Sequence, residues 1–398
     1  MERSSPVIFL PLLVLACVSA VHGAVLALRL PPRPVFADEM QFGRMVYALA
    51  GFAIVQALAL PVWGALSDRF GRQKVIIYSL GATLATAVLG YAPILGLQLA
   101  PQFVFAVLSG LTMAGLPLAA AYCFSLIKEG PRHHLLATTV GAFFAGAGLM
   151  IPLRLATFSL PARDINTATS TIVLLATVTA LVLATYLLPL ARPTSVSFTG
   201  MNALHGLWHG FGESNRGSYA RWWKTYLALT GAAAGLAMTS LPGFSINHEV
   251  FTTHASLLVV CLVCAAIASL VTAHVLGRGY VGERSGALAA VASLLVGLVL
   301  LYTTPDQAIG LLAAAVLCGT GLGASTMLGI LYFAARAKQR SAGAELGAIS
   351  AIWLAALLAG VWLVSMTFKS NPQTSLRVAM GCAGLALVTG FLATRKPL

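Results

Sequence analysis

Charge is what this chain has least of. Its 398 residues include 24 Lys and Arg and 11 Asp and Glu, together 9% of the chain, where soluble domains carry about 25%. A water-soluble domain of this size needs a charged shell, and so few charges exclude one. Carboxylates are scarcest where chemistry inside a membrane would want them. All eleven fall in or beside loops (Glu2, Asp38, Glu39, Asp68, Glu129, Asp164, Glu213, Glu249, Glu283, Asp306 and Glu345), and no long apolar run has one at its midpoint. An HExxH helix, a pair of core carboxylates and a GxxxxGK[ST] loop are also missing. These absences argue against a membrane-embedded hydrolase and against ATP drive from within this chain. No cofactor-binding motif is present.

Cysteine is sparse and unpaired in pattern. The six, Cys17, Cys123, Cys261, Cys264, Cys318 and Cys382, are scattered through apolar runs. Cys261 and Cys264 make a CxxC with no second pair and no histidine in the run, so two small apolar residues on one helix are the expectation, with neither a disulfide framework nor a zinc site.

Long apolar runs are plentiful. Hydrophobic residues make up 59% of the chain and mean hydropathy is +0.89. A run of about 20 residues crosses roughly 30 Å of hydrocarbon at 1.5 Å per residue. Such runs predict spans at 6–29, 44–66, 75–94, 102–127, 135–156 and 168–190, then at 224–242, 254–276, 285–303, 307–335, 342–367 and 375–394. The first run is longer than a signal-peptide core and leads straight into further spans, so it is read as a helix that stays. The prediction is an all-α membrane protein of 12 transmembrane helices. Residues 1–190 form an N-terminal six-helix bundle, 191–223 a cytoplasmic central loop, and 224–398 a C-terminal six-helix bundle.

The basic residues test that count. With the N-terminus in the cytoplasm, 17 of the 24 Lys and Arg fall in cytoplasmic segments and seven outside. That is the positive-inside bias, and it places both termini in the cytoplasm. A net charge of +13 would suggest nucleic acid in a soluble protein; distributed between spans, it reports topology and implies no nucleic-acid partner.

The densest charge lies between spans 2 and 3, in GALSDRFGRQK at residues 64–74. A second charged, glycine-containing turn, HVLGRGYVGERSGA with Arg278, Gly282, Glu283 and Arg284, joins spans 8 and 9, as an internal repeat of six helices requires. The first turn resembles the signature loop of the major facilitator superfamily, filled here by Gly64, Leu66, Ser67, Asp68, Arg69, Gly71, Arg72 and Lys74. With twelve spans in a 6+6 arrangement, the resemblance covers nearly the whole chain. It implies two bundles that rock about a midplane site. It also implies a gating loop in which Asp68 faces nearby arginines and the positive N-terminal end of span 11, opening near Ser341. Anchoring of the loop to phospholipid is the simpler role for its basic residues. Two family marks are absent. Ala106 stands where an arginine tied to proton coupling precedes Gly110, and span 5 has Gly141, Gly146, Gly148 and Pro152 without the antiporter Gly-Pro pattern.

Polar groups inside a bilayer are functional candidates, since a charge there costs about 2.5–3.5 kcal/mol on insertion scales. His22 shares a helix face with Ser19 and Arg29 in span 1 and titrates near neutral pH. It is a candidate substrate or proton ligand, or else a neutral histidine bonded to backbone at a helix contact. Arg29, Arg44 and Arg154 lie near the outer ends of spans 1, 2 and 5, where they would form an electropositive mouth for anions or pair with Asp38, Glu39 and Asp164. Tyr47, Gln56 and Tyr122 are candidates to line a central cavity or are packing residues. Gly319, Gly321 and Gly323 give span 10 a closely packed or moving segment. In the central loop, MNALHGLWHGF suggests an interfacial amphipathic helix, and His205 and His209 lack a third metal ligand.

The expectation is a secondary transporter of the inner or plasma membrane, monomeric, in contact with lipid, a small-molecule substrate and in some cases protons. Efflux of a drug-like or metabolite compound ranks ahead of import or uniport of an organic anion. A receptor or scaffold that kept the fold and lost transport is the remaining alternative.

Overall fold

The computed structural model describes residues 6–29, 39–89, 102–126, 132–157, 162–189, 218–244, 251–305, 307–336, 342–367 and 372–394, with some side chains at helix ends left aside. The described residues are helical, joined by short turns. The first half contains α1 (Pro6–Arg29), α2 (Glu39–Phe70), α3 (Arg72–Leu89), α4 (Gln102–Thr112), α5 (Gly115–Leu126), α6 (Arg132–Thr157) and α7 (Ala162–Leu187). The second contains α8 (Ser218–Phe244), α9 (Phe251–Gly277), α10 (Glu283–Thr303), α11 (Ala308–Arg336), α12 (Ala342–Thr367) and α13 (Pro372–Ala393).

Among the described residues nine segments are long and apolar enough to cross a membrane. The joined α4–α5 segment, Val104–Cys123, is one of them, so α4 and α5 are the two parts of one span. Helices α3, α7 and α8 complete the twelve. Helix α8 begins at Ser218, so residues 218–223 belong to the helix and not to the linker expected to end at 223. The amphipathic segment around His205 and His209 lies outside the described residues.

Lipid tails are as apolar as leucine, so these helices hold together by close backbone packing at small residues. On α1 and α6, a Cβ at Gly23 would collide with the Phe143 carbonyl, and one at Gly146 with Ala20. In the second half α8 and α12 meet the same way, Gly235 against the Leu357 carbonyl and Gly360 against that of Ala232. Gly110 of α4 packs on Phe52 of α2, and Gly319 and Gly323 of α11 pack on Cys261 and Ala265 of α9. The contact pattern of spans 1 with 5 and 2 with 4 thus recurs in 7 with 11 and 8 with 10. These pairings are those of a repeated six-helix unit. The glycines of span 10 serve this packing.

The two halves touch along two main seams. Helix α2 runs against α12, and α6 against α9. At one end of the α2–α12 seam Gly64 and Gly343 lie backbone to backbone; one turn further on, Gly347 packs on Leu60 and Pro61.

Candidate functional site

Residues 64–74 form the turn from α2 to α3. Gly71 has φ of +95°, a backbone conformation that costs L residues about 1–2 kcal/mol and glycine nothing comparable. Helix α3 starts at the next residue, and the Val75 N–H closes its first turn on the Gly71 carbonyl at 3.2 Å.

This turn places Asp68 at the seam. Its Oδ1 accepts the Gly343 N–H and its Oδ2 the Ala344 N–H, each at 3.0 Å. Both are first-turn donors of α12, which have no intrahelical partner and carry the positive end of the helix dipole. On the other side, Arg72 Nη2 donates to Asp68 Oδ1 at 3.3 Å while Nη1 donates to the Ala121 carbonyl of α5 at 2.6 Å. Ser67 Oγ donates to the Gly64 carbonyl at 2.7 Å, and Gln73 ties α3 to the Leu188 carbonyl at 2.8 Å. Asp68 and Arg72 are 6% and 5% exposed, so their pairing escapes the solvent screening that weakens surface ion pairs. Gly64, Asp68, Gly71 and Arg72 are therefore brought together. Arg69 and Lys74 are not; both are exposed, and Arg69 lies over the Phe70 ring.

The second loop differs. Its positive-φ residue is Gly279, at +70°, while Gly282 is extended, with φ of −74°. Three residues before Gly279 stands Leu276, where the first loop has Asp68 three before Gly71. The carboxylate contact is a property of the first loop, and at the corresponding place the rings of His134 on α6 and His274 on α9 pack at 5.7 Å.

His22 is fully buried among other helices of the first half. The reason lies in span 4. Helix α4 ends at Thr112 and α5 begins at Gly115, and Pro117 cannot supply an N–H to Met113. A helix start inside a membrane leaves amide donors with no water to take them. His22 Nδ1 accepts the Leu116 N–H at 3.0 Å, and Ser79 Oγ accepts the Ala114 N–H at 3.3 Å. A backbone N–H can only donate, so Nδ1 is the acceptor and the neutral ring carries its proton on Nε2. The Gln56 amide nitrogen is 2.8 Å from Nε2 and 3.4 Å from the Met113 carbonyl. Turned over, the amide presents to the Nε2–H its oxygen, otherwise unpartnered among the described residues, and accepts that proton. His22 and Gln56 thus act as a cap on a broken helix. Ser19, on the same face, donates to the Thr139 carbonyl of α6 at 2.6 Å.

The other candidates separate. Tyr47 is 63% exposed and faces away from the bundle, because nine residues at 100° each put it opposite Gln56 on α2. Tyr122 is buried and its hydroxyl bonds to the Pro189 carbonyl, tying α5 to the end of α7. The side chains of Arg29, Arg44 and Arg154 lie outside the described residues.

Sequence reasoning missed an aromatic cluster between the halves. Trp353 of α12 meets Phe143 and Phe144 of α6 edge-to-face at 5.8 and 5.9 Å, and His22 meets Phe143 at 5.2 Å. The FF pair and the single Trp are legible as residues, but nothing in their spacing says they share a place. It also missed Glu345, buried in the first turn of α12 and within electrostatic reach of Lys224 on α8.

Comparison with known proteins accords with this geometry. The profile of the Major Facilitator Superfamily matches residues 8–361. The chain belongs to that family, whose members are multi-pass membrane transporters of small molecules and not enzymes. The tetracycline resistance protein, class C, of Escherichia coli is 44% identical over 88 residues, 21% of this chain and 21% of the relative. The match thus spans about a fifth of that relative's length. Among solved structures, the human organic anion transporter MFSD10 (TETRAN) superposes with a TM-score of 0.70 at 17% identity, over 96% of this chain and 98% of that one. FucP, a family member in its outward conformation, gives 0.68 at 15% identity over 98% and 100%. At those identities the likeness is one of fold.

Proposed function

We propose that this protein is a secondary active transporter that moves a small organic solute by alternating access. The observation that carries the reading is the Asp68 carboxylate holding the first-turn amides of α12 across the seam between the halves. Such a bond closes one end of the molecule and must break for that end to open. The basic-residue distribution supports a cytoplasmic position for this end and for both termini, and the proposal is of a monomer in the inner or plasma membrane. The halves are residues 1–190 and, from the start of α8, 218–398, joined through the central segment.

Export is the favoured direction, because a relative that is 44% identical over 88 residues is named for resistance to a compound. A proton gradient is the proposed drive, with His22 as its candidate relay; relaying a proton requires His22 to release the Leu116 N–H, since a doubly protonated imidazole has no acceptor. Arg29, Arg44 and Arg154 are the candidate anion-attracting groups of the opposite mouth.

The test is purified protein in proteoliposomes with an internal pH dye and a panel of organic anions, lipophilic cations and uncharged aromatic compounds. Solute-dependent proton flux in wild type, reduced in Asp68→Asn, supports the reading. Saturable solute uptake without a pH change would leave a uniporter and remove the proton. No saturable flux for any compound would favour a receptor or scaffold with this fold.

A further inference from the structure

Helices α6 and α12 both start at the end that carries the Asp68 turn and run away from it. Phe143 is 11 residues from the start of α6 at 132, and Trp353 is 11 residues from the start of α12 at 342. At 1.5 Å per residue that is about 16 Å, half the thickness of the hydrocarbon core. The ring cluster is therefore at mid-membrane. It is also shared between the halves, two rings from one and one from the other, all about 2% exposed.

Within this cluster one polar atom is left over. The Trp353 Nε1–H is fully buried and has no hydrogen-bond partner among the described residues. A buried indole N–H ordinarily finds an acceptor, and leaving a donor unsatisfied costs about 1–3 kcal/mol. Trp353 also borders a crevice between α8, α11 and α12, formed with Leu227, Thr326, Ile330, Ile349 and Ser350 and too narrow in this closed arrangement for a water molecule. The Thr326 hydroxyl is spent on the Leu322 carbonyl at 2.7 Å. Next to the cluster, the groups in reach are apolar side chains, the Thr326 and Ser350 hydroxyls that line the crevice, and the His22 ring.

We infer that Phe143, Phe144 and Trp353 form the substrate-contact site, and that the site takes an uncharged aromatic compound bearing a hydrogen-bond acceptor for the Trp353 indole N–H. The inference rests on the transporter reading above. Parting of the halves separates Trp353 from the two phenylalanines, and a flat ring entering there replaces the edge-to-face contacts they lose, at centroid distances of about 4.5–7 Å. Aromatic faces also attract cations. However, an unpaired charge at mid-membrane costs about 2.5–3.5 kcal/mol, and no carboxylate of this chain lies at the midpoint of a span to offset it. Neutral compounds are therefore favoured. The acceptor sets orientation and the rings supply area.

The test uses four naphthalenes of similar size: acetylnaphthalene, which has a carbonyl acceptor; isopropylnaphthalene, which has none; naphthyltrimethylammonium; and naphthalenesulfonate. Binding is measured by equilibrium dialysis to the full chain in nanodiscs, with empty nanodiscs subtracted, for wild type and for Trp353→Phe, which keeps a ring and removes the N–H. Thermal unfolding confirms that the variant is folded. The expected result is saturable binding of acetylnaphthalene, about five- to tenfold tighter than isopropylnaphthalene in wild type, with that preference gone in Trp353→Phe. Three results would overturn the site: no saturable binding beyond empty nanodiscs, tighter binding of either charged probe, or a carbonyl preference that survives in Trp353→Phe. Because dialysis reads binding and not flux, the two readings fail separately. Specific binding without flux would sink transport and keep the site. Flux of another solute unaffected by Trp353→Phe and Phe144→Leu would do the reverse.

Discussion

Asp68 on α2 and Gly343 on α12 stand 275 residues apart in sequence, and the Asp68 Oδ1 accepts the Gly343 N–H at 3.0 Å. The approach is possible because Gly64 and Gly343 have no side chains; a Cβ on Gly343 would collide with Gly64, Ser67 and Asp68. The carboxylate also holds Arg72, which reaches on to α5. One acidic side chain thus joins α2, α3 and α12 directly, α5 through Arg72, and both halves.

Replacing Asp68 with Asn keeps the volume and removes the charge. One amide of α12 then faces an NH₂ group and Arg72 loses its ion. Charge-assisted bonds contribute about 1.5–3 kcal/mol each, so the closed end should lose at least about 10-fold in population. Accessibility of residues along the α2–α12 seam to a water-soluble label reads this directly.

Gly343→Val should exclude the closed end by collision, where Asp68→Asn merely weakens it. Overpacking costs about 1–3 kcal/mol or more, and here it falls on one conformation. Gly146→Val, by contrast, clashes with Ala20 inside the first half and should lower thermal stability in every state. Thermal unfolding and transport together separate the two variants: the first retains its melting temperature and loses cycling, the second loses both.

His22→Ala removes the acceptor for the buried Leu116 N–H and should destabilise the protein by about 1–3 kcal/mol. His22→Asn places an amide oxygen near the position of Nδ1, so it should recover most of that loss while removing the titrating ring. If His22 relays protons, the Asn variant unfolds near the wild-type temperature yet no longer couples solute to proton flux. Unchanged coupling in His22→Asn would leave the imidazole as a helix cap alone.

Arg69→Gln and Lys74→Gln alter exposed groups outside the Asp68 network. Each should change stability by less than about 0.5 kcal/mol and leave seam accessibility unchanged. A gating defect as large as that of Asp68→Asn would contradict the geometry described for the turn.

Most of the fold is legible in the sequence because the bilayer imposes it. Helix length follows from membrane thickness, and the expected spans 6–29 and 342–367 coincide with α1 and α12. The Asp68 turn is legible because a charged motif in so apolar a chain has few places to be. What escapes is set by packing between distant segments. The break at residues 113–114 depends on Pro117 together with the acceptors His22 and Ser79 from two other helices. Likewise Tyr47 and Gln56 are both plausible cavity residues by type, and only the direction of each helix face separates the exposed one from the buried one. The meeting of Phe143 and Phe144 with Trp353 requires the two halves to be docked.

The most direct test of alternating access at this seam is a distance distribution. Spin labels attached through unnatural side chains at Phe70 and Tyr280, both exposed and one in each half's loop, leave the six native cysteines in place. Pulsed electron resonance on the protein in nanodiscs should give a dominant short distance for wild type, and a second, longer population that grows in Asp68→Asn. A single distribution, identical in both proteins while the wild type transports solute, would contradict the account: the halves would not part at this end, and Asp68 would be a structural tie.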